Sequence, residues 1–162
     1  MSERLFMSVK TKDLLLVKDF LKDHYQLAIA TYGDHPWIAT VYYSMDDALN
    51  LYFLTAPSTL HAQHIAQNKD VAVVIADSPQ APNSSKKGLQ IYGICEQITG
   101  EKKITHAITL WNKSLGVTDP NYSYAGMLKK AISGRMYKIV PKKIKFFNED
   151  LWEEGKEKLI EL

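Results

Sequence analysis

Apolar and polar positions change period several times along the chain, and each change predicts a different element. Leu14, Leu15, Val17, Lys18 and Leu21 fall on one helical stripe and predict a helix from about Thr11 to Asp23, with Asp13 near its positive end. "YQLAIATYG" and "PWIATVYYSM" alternate as strands do, and Gly33-Asp34-His35-Pro36 between them is turn chemistry. "DDA", Asp46 to Ala48, turns into "LNLYFLT" and completes a meander of three antiparallel strands. "DVAVVIAD" is continuously apolar and reads as a strand buried on both faces. Past the Pro-, Ser- and Asn-rich loop Asp77 to Lys87, "GLQIYGICEQIT" alternates again. From Gly100 to Ser133 the pattern is helical, in "EKKITHAITLWNKSL" and, beyond Asp119-Pro120, in "YAGMLKKAI"; these helices are expected outside the sheet. "RMYKIVP" and "KIKFFNED" return to strand, with Pro141 marking a break or an edge between them.

Five or six short antiparallel strands with helices set between them predict a mainly β fold with helices, a small closed or partly closed antiparallel barrel. A chain of 162 residues, 46% of them hydrophobic, fills one core and is short for two. A single domain over 1–162 is expected, with helices inserted around 101–133 and a charged tail over 150–162 of no evident structure.

Charge and cysteine content narrow the function classes. With 20 basic against 18 acidic residues there is no net field to draw the protein onto nucleic acid or an anionic membrane. The lone Cys95 excludes an internal disulfide and a multi-cysteine metal site, and favours a reducing compartment. "MSERLFMSVKTKD" lacks the apolar core of a signal peptide, and "VAVVIA" is far shorter than the roughly 18 residues of a membrane span, so a cytoplasmic location is expected. Sequons at Asn83, Asn112 and Asn121 carry no weight without a secretory route.

The candidate chemistry is concentrated in "LYFLTAPSTLHAQHIAQNKDVAVVI", Leu51 to Ile75, where Ser58 and Thr59 precede a short helical pattern carrying His61 and His64. A helix beginning near Ser58 turns unpaired N–H groups outward, and hydroxyls of Thr55, Ser58 and Thr59 can donate to an anion, with His61 as the only candidate cation of the segment. The competing reading is that Ser58 caps the helix and the hydroxyls answer their own backbone. His61 and His64 share a helical face but have no carboxylate or thiolate partner in the segment, which makes a poor metal site. Trp37, Tyr42, Tyr43, Tyr52 and Tyr92 read first as sheet-packing residues, Trp111 as an anchor of its helix, and the Lys86-Lys87 pair as solvated charge.

The run from Pro36 to Ile75, with "GLQIYGICEQITGE" and the closing "YKIVPKKIKFFN", resembles the flavin-binding split barrel of the pyridoxamine 5′-phosphate oxidase superfamily. "HAQ", "GLQIYG" and "IKF" are similar to short signatures of its YhbP-like branch. The resemblance implies a homodimer that binds flavin mononucleotide (FMN) in two clefts between subunits. It places Thr40, Val41 and Tyr42 along the isoalloxazine ring, and Leu54 and Thr55 beside ribityl and phosphate. Ser58, Thr59 and His61 fall in the phosphate corner and Gln90 near the flavin, and Trp111 would either cover the flavin of the other subunit or anchor its helix.

Departures from the family pattern matter too. Where such oxidases carry arginine and lysine for the cofactor phosphate, this chain has Ala39, Leu60 and His61, and its tail has no counterpart of their substrate-binding arginine and histidine. A vitamin B6 oxidase is therefore not expected. Two classes remain: an FMN-dependent oxidoreductase of unknown substrate, and a non-catalytic binding or sensing protein on the same barrel, holding haem or another planar ligand.

Overall fold

The computed structural model describes residues 9–77 and 79–162; residues 1–8, which carry much of the leader-free reading, and Ser78 in the polar loop lie outside them. Helix α1 (Val9–Lys22) leads into β1 (Gln26–Tyr32), β2 (Pro36–Met45) and β3 (Leu51–Thr55). Helix α2 (Leu60–Gln67) precedes β4 (Asp70–Ala76) and β5 (Lys87–Gln97). Helices α3 (Glu101–Leu115) and α4 (Tyr124–Leu128) follow, then β6 (Arg135–Asn148) and β7 (Lys158–Glu161).

The strands run in the order β3-β2-β1-β4-β5-β6, and β3 also pairs with β6, so six antiparallel strands close into a barrel with β7 added to β6. Closure leaves one face of every strand inside. Leu27 and Ile29, Val71, Val73 and Ile75, and Leu89 and Ile91 alternate into that interior. Phe53 and Tyr137 stack there with ring centroids 5.3 Å apart. From α1, Val17, Phe20 and Leu21 join the same cluster, and Phe20 meets Phe146 at 5.5 Å. A second, smaller cluster lies outside the barrel, where Ala107, Ile108 and Trp111 of α3 and Met127 of α4 cover Tyr52 and Met136. Leu51, Tyr52 and Phe53 are all buried because β3 has the barrel on one face and α3 on the other.

Four local readings of the sequence change. First, β4 is not buried on both faces. Its burial strictly alternates, and Val74 is exposed on an outer face that no helix covers. Second, Pro141 does not break the strand. It lies in a bulge, where Gly93 pairs with Pro141 and Tyr92 already with Lys143, and the unpaired Lys142 absorbs the irregularity. Gly93 is needed there, since a Cβ would stand 2.8 Å from the Val140 carbonyl oxygen. Third, the tail supplies β7: Ile160 opposes Ile144 and is buried among the barrel side chains. Fourth, α4 stops at Leu128. Lys130 adopts a left-handed φ of 57°, and the bonds Lys130 N to Met127 O and Ala131 N to Gly126 O form a Schellman stop.

Among the described residues no helix is long and apolar enough to cross a membrane. Because Phe53 is fully enclosed at the strand that closes the barrel, Phe53→Ala should cost about 3–5 kcal/mol, read as a lower urea midpoint.

Candidate functional site

The barrel is split between β2 and β3. Their ladder holds only Tyr43 to Phe53, Ser44 to Tyr52 and Met45 to Leu51, so Pro36 to Tyr42 pairs on the β1 side alone while Leu54 and Thr55 continue on β6. Tyr43 donates its N–H to Tyr25 O on the β1 side, so the backbone groups of Tyr42 and, by alternation, Thr40 face the split. One of them is used: Trp111 donates its indole N–H to Tyr42 O at 3.2 Å. Trp111 is buried and stacks on Tyr122 at 5.9 Å, so the indole pins α3 to the free edge of β2.

Sequence-predicted residues gather at this split to different extents. Continued register would set Tyr42 against Leu54 and Val41 against Thr55, which brings Thr40, Val41, Tyr42, Leu54 and Thr55 to its two sides. Thr40 and Tyr42 are exposed, whereas the Val41 side chain points into the barrel and has only its backbone to offer. Gln90 lies elsewhere, on the outer face of β5 with Ala28, Ala30, Ile38, Val74 and Tyr92 around a shallow apolar cavity of about 490 Å³. Within one chain Gln90 is not part of the corner formed by Thr55, Thr59 and His61.

That corner differs from a simple cap. Helix α2 begins at Leu60, so Thr59 and not Ser58 is the N-cap residue, and no side chain caps it. Thr59 turns its hydroxyl back to Ala56 O at 2.8 Å, reinforcing the bond from Thr59 N to the same oxygen at 3.0 Å. Ser58 is exposed, and its carbonyl accepts from Gln63 Nε2. The first N–H groups of α2 are therefore left without a side-chain acceptor, which suits an anion.

His61 is buried beside these hydroxyls, with Nε2 2.8 Å from Thr55 Oγ1 and 3.3 Å from Thr59 Oγ1. Burial, and secondarily His64, holds its pKa below the ordinary histidine value, so the imidazole is neutral at neutral pH. His64 turns the other way. Its ring lies over Gly33, where a Cβ would stand 2.5 Å from Cδ2, Nδ1 meets Thr31 Oγ1 at 3.2 Å, and Nε2 is buried without a hydrogen bond, 3.8 Å from the Asp34 carboxylate. Among the described residues no group of three His, Cys, Asp or Glu side chains could hold a metal ion.

One cation escaped notice in the sequence. Arg135 opens β6 directly opposite Thr55, yet its Nη1 donates to Gly134 O at 2.8 Å rather than to the corner. Nothing in the local pattern of "SGRMYK" marks it; only the β3–β6 pairing, 80 residues apart in sequence, brings it there.

A family model described as pyridoxamine 5′-phosphate oxidase matches residues 16–136. The chain belongs to that family. No curated protein matches it in sequence. Among solved structures, ChuZ of Campylobacter jejuni superposes with a TM-score of 0.72 at 14% identity, over 98% of this chain and 62% of ChuZ. HutZ of Vibrio cholerae, described as a haem storage protein, gives 0.66 at 13% identity, over 83% of this chain and 93% of HutZ. An FAD-binding protein of Mesorhizobium loti gives 0.61 at 16% identity, over 83% of this chain and 92% of that one. At these identities the likeness shows the shared split barrel alone.

The neutral state of His61 has a measurable consequence. Its folded pKa lies below the ordinary 6.5, so its contribution is present above that value and is lost as pH falls through the folded pKa. The stability of the wild type relative to His61→Gln should therefore decline on acidification below about pH 6.5, measured by urea unfolding across the range.

Proposed function

We propose that the protein binds FMN in a cleft shared by two copies of the chain and serves as a flavin-dependent oxidoreductase. The observation that carries the reading is the split itself: outward-facing backbone groups at Thr40 end beside Thr55, Thr59 and the uncapped start of α2. Membership of the pyridoxamine 5′-phosphate oxidase family supports it, as does the fold shared with a protein described as FAD-binding.

The donor set fits a flavin phosphate of modest affinity. Backbone N–H groups of α2 and the hydroxyls of Thr55, Ser58 and Thr59 are neutral donors, and His61 becomes a cation only when an anion is beside it. No fixed positive charge stands at Ala39, Leu60 or His61. Bound flavin would supply the hydride or electron transfer, while this chain orients the ring on the β2 edge and excludes water. Backbone groups at Thr40 and Tyr42 would meet the polar edge of the ring, with Leu54 as apolar floor. Trp111 anchors α3 in this reading instead of covering the cofactor.

Two copies complete the site. The outer face carrying Gln90, Ala72, Val74 and Ile38 is apolar and uncovered in one chain, and a second copy seated on it buries that face and brings Gln90 toward the cofactor of its neighbour. An interface of this kind buries more than about 2,000 Å². Light scattering should give twice the chain mass at micromolar concentration, and Val74→Glu should give a monomer. A monomeric wild type would remove the shared cleft.

Titration with FMN decides the cofactor. Because the phosphate favours charged His61, binding should draw in a proton and weaken by up to about tenfold per pH unit as pH rises through the pKa of the complex, while riboflavin shows no such slope. His61→Ala should flatten the FMN slope, and His61→Lys should keep FMN bound at high pH. Gln90→Leu should weaken both flavins by about 1–3 kcal/mol. A purified protein with a Soret band and no affinity for flavin would select haem instead, the ligand named for HutZ.

A further inference from the structure

We propose that a second cleft, on the far side of β3 from the split, binds a small organic phosphate, a ligand separate from the flavin. The cleft, of about 550 Å³, lies between the N-terminal half of α3 and the outer faces of β3, β5 and β6. A volume in the roughly 300–1,000 Å³ range suits a ligand of nucleoside monophosphate size. Lys102, Lys103 and His106 line it from successive turns of α3, and Lys138 lines it from β6.

Charge distinguishes this cleft from ordinary lysine-studded surface. Among its lining residues Glu96 is the sole carboxylate, and it is engaged by Lys69 at 2.8 Å. Lys102, Lys103 and Lys138 form no direct ion pair among the described residues; Lys103 and Lys138 add, after Lys69, to the field that holds the Glu96 carboxyl below its ordinary pKa. Lys138 is half-buried on its strand, directly opposite both Glu96 and Tyr52. Three lysines against one engaged carboxylate leave this lining net positive, in a chain whose formal charge is only +2.

Shape and donors favour a phosphate ester over a simple carboxylate. The lysines come from two elements and can meet oxygens from different directions, as a phosphate dianion requires. At the head of α3 the N-cap Gly100 has no side chain to offer, so first-turn N–H groups add neutral donors beside Lys102 and Lys103. The Tyr52 and His106 rings, edge to face at 6.2 Å, and Ile98 form a wall for the apolar body of the ligand. The acidic neighbour of Tyr52 does not compete: Asp46 accepts from the Tyr52 hydroxyl at 2.8 Å and from Asn50 and Ala48.

Calorimetric titration of the full chain with AMP, pyrophosphate and adenosine tests the assignment. Saturable binding of AMP and pyrophosphate, weakened in about 0.3 M salt, is expected, with no binding of adenosine. Lys102→Gln/Lys138→Gln should weaken AMP by about tenfold or more, while Lys86→Gln/Lys87→Gln, at the start of β5 and remote from Glu96 near its end, leaves it unchanged. Lys138→Glu, in protein whose circular dichroism shows the wild-type fold, should abolish binding. The proposal is overturned by an absence of saturable heat with either phosphate, by equal loss in both lysine pairs, or by unchanged AMP binding in Lys102→Gln/Lys138→Gln, which would place the phosphate elsewhere.

Discussion

The point at which β2 leaves β3 governs the rest of the molecule. Beyond Tyr43 and Phe53 the two strands no longer exchange hydrogen bonds, and β3 closes the barrel through β6 over five residue pairs, Leu51 to Thr55. An unpaired strand edge exposes donors and acceptors that must be answered. Trp111 answers one of them at Tyr42 O, which ties α3 to the edge and lets Ala107 and Ile108 cover the outer side of β3. The same departure carries Thr55 past the ladder to meet Thr59 and His61. Barrel closure, the second apolar cluster and the corner of Thr55, Thr59 and His61 thus follow from one interrupted ladder.

Charge is placed unevenly around this frame. At the corner, burial keeps His61 neutral and the donors are hydroxyls and amides. Arg135, across the ladder from Thr55, spends its guanidinium on carbonyls of the preceding turn. On the opposite side of β3, Lys102, Lys103 and Lys138 line a cleft whose one carboxylate, Glu96, is paired with Lys69. A chain with nearly balanced totals can therefore present one corner without fixed charge and one cleft whose lining is net positive.

Alternation made the barrel legible. β1, β2, β4 and β5 lie within about two residues of the runs that predict them, and α3 matches its run in full. The readings that changed depend on long-range partners. Pro141 looks like a break until Gly93 allows a bulge beside it, and the tail looks shapeless until Ile160 finds Ile144. Likewise, Ser58 and Thr59 are both good caps by residue type, and only the turn bond to Ala56 decides that neither hydroxyl caps α2. Arg135 was invisible for the same reason: its relation to Thr55 exists only through strand pairing.

The run "DVAVVIAD" carries the last step. A strand with one wet face needs apolar residues only at alternate positions, and Val71, Val73 and Ile75 already meet that need. Ala72 and Val74 are thus in excess of what folding one chain requires, as are Ala28, Ala30 and Ile38 beside them. Ala28, Ala30 and Ala72 leave room between Ile38, Val74 and Tyr92 for the shallow apolar cavity on this outer face. The run predicts a strand buried twice because its outer residues are apolar as well, while the chain buries only Val71, Val73 and Ile75.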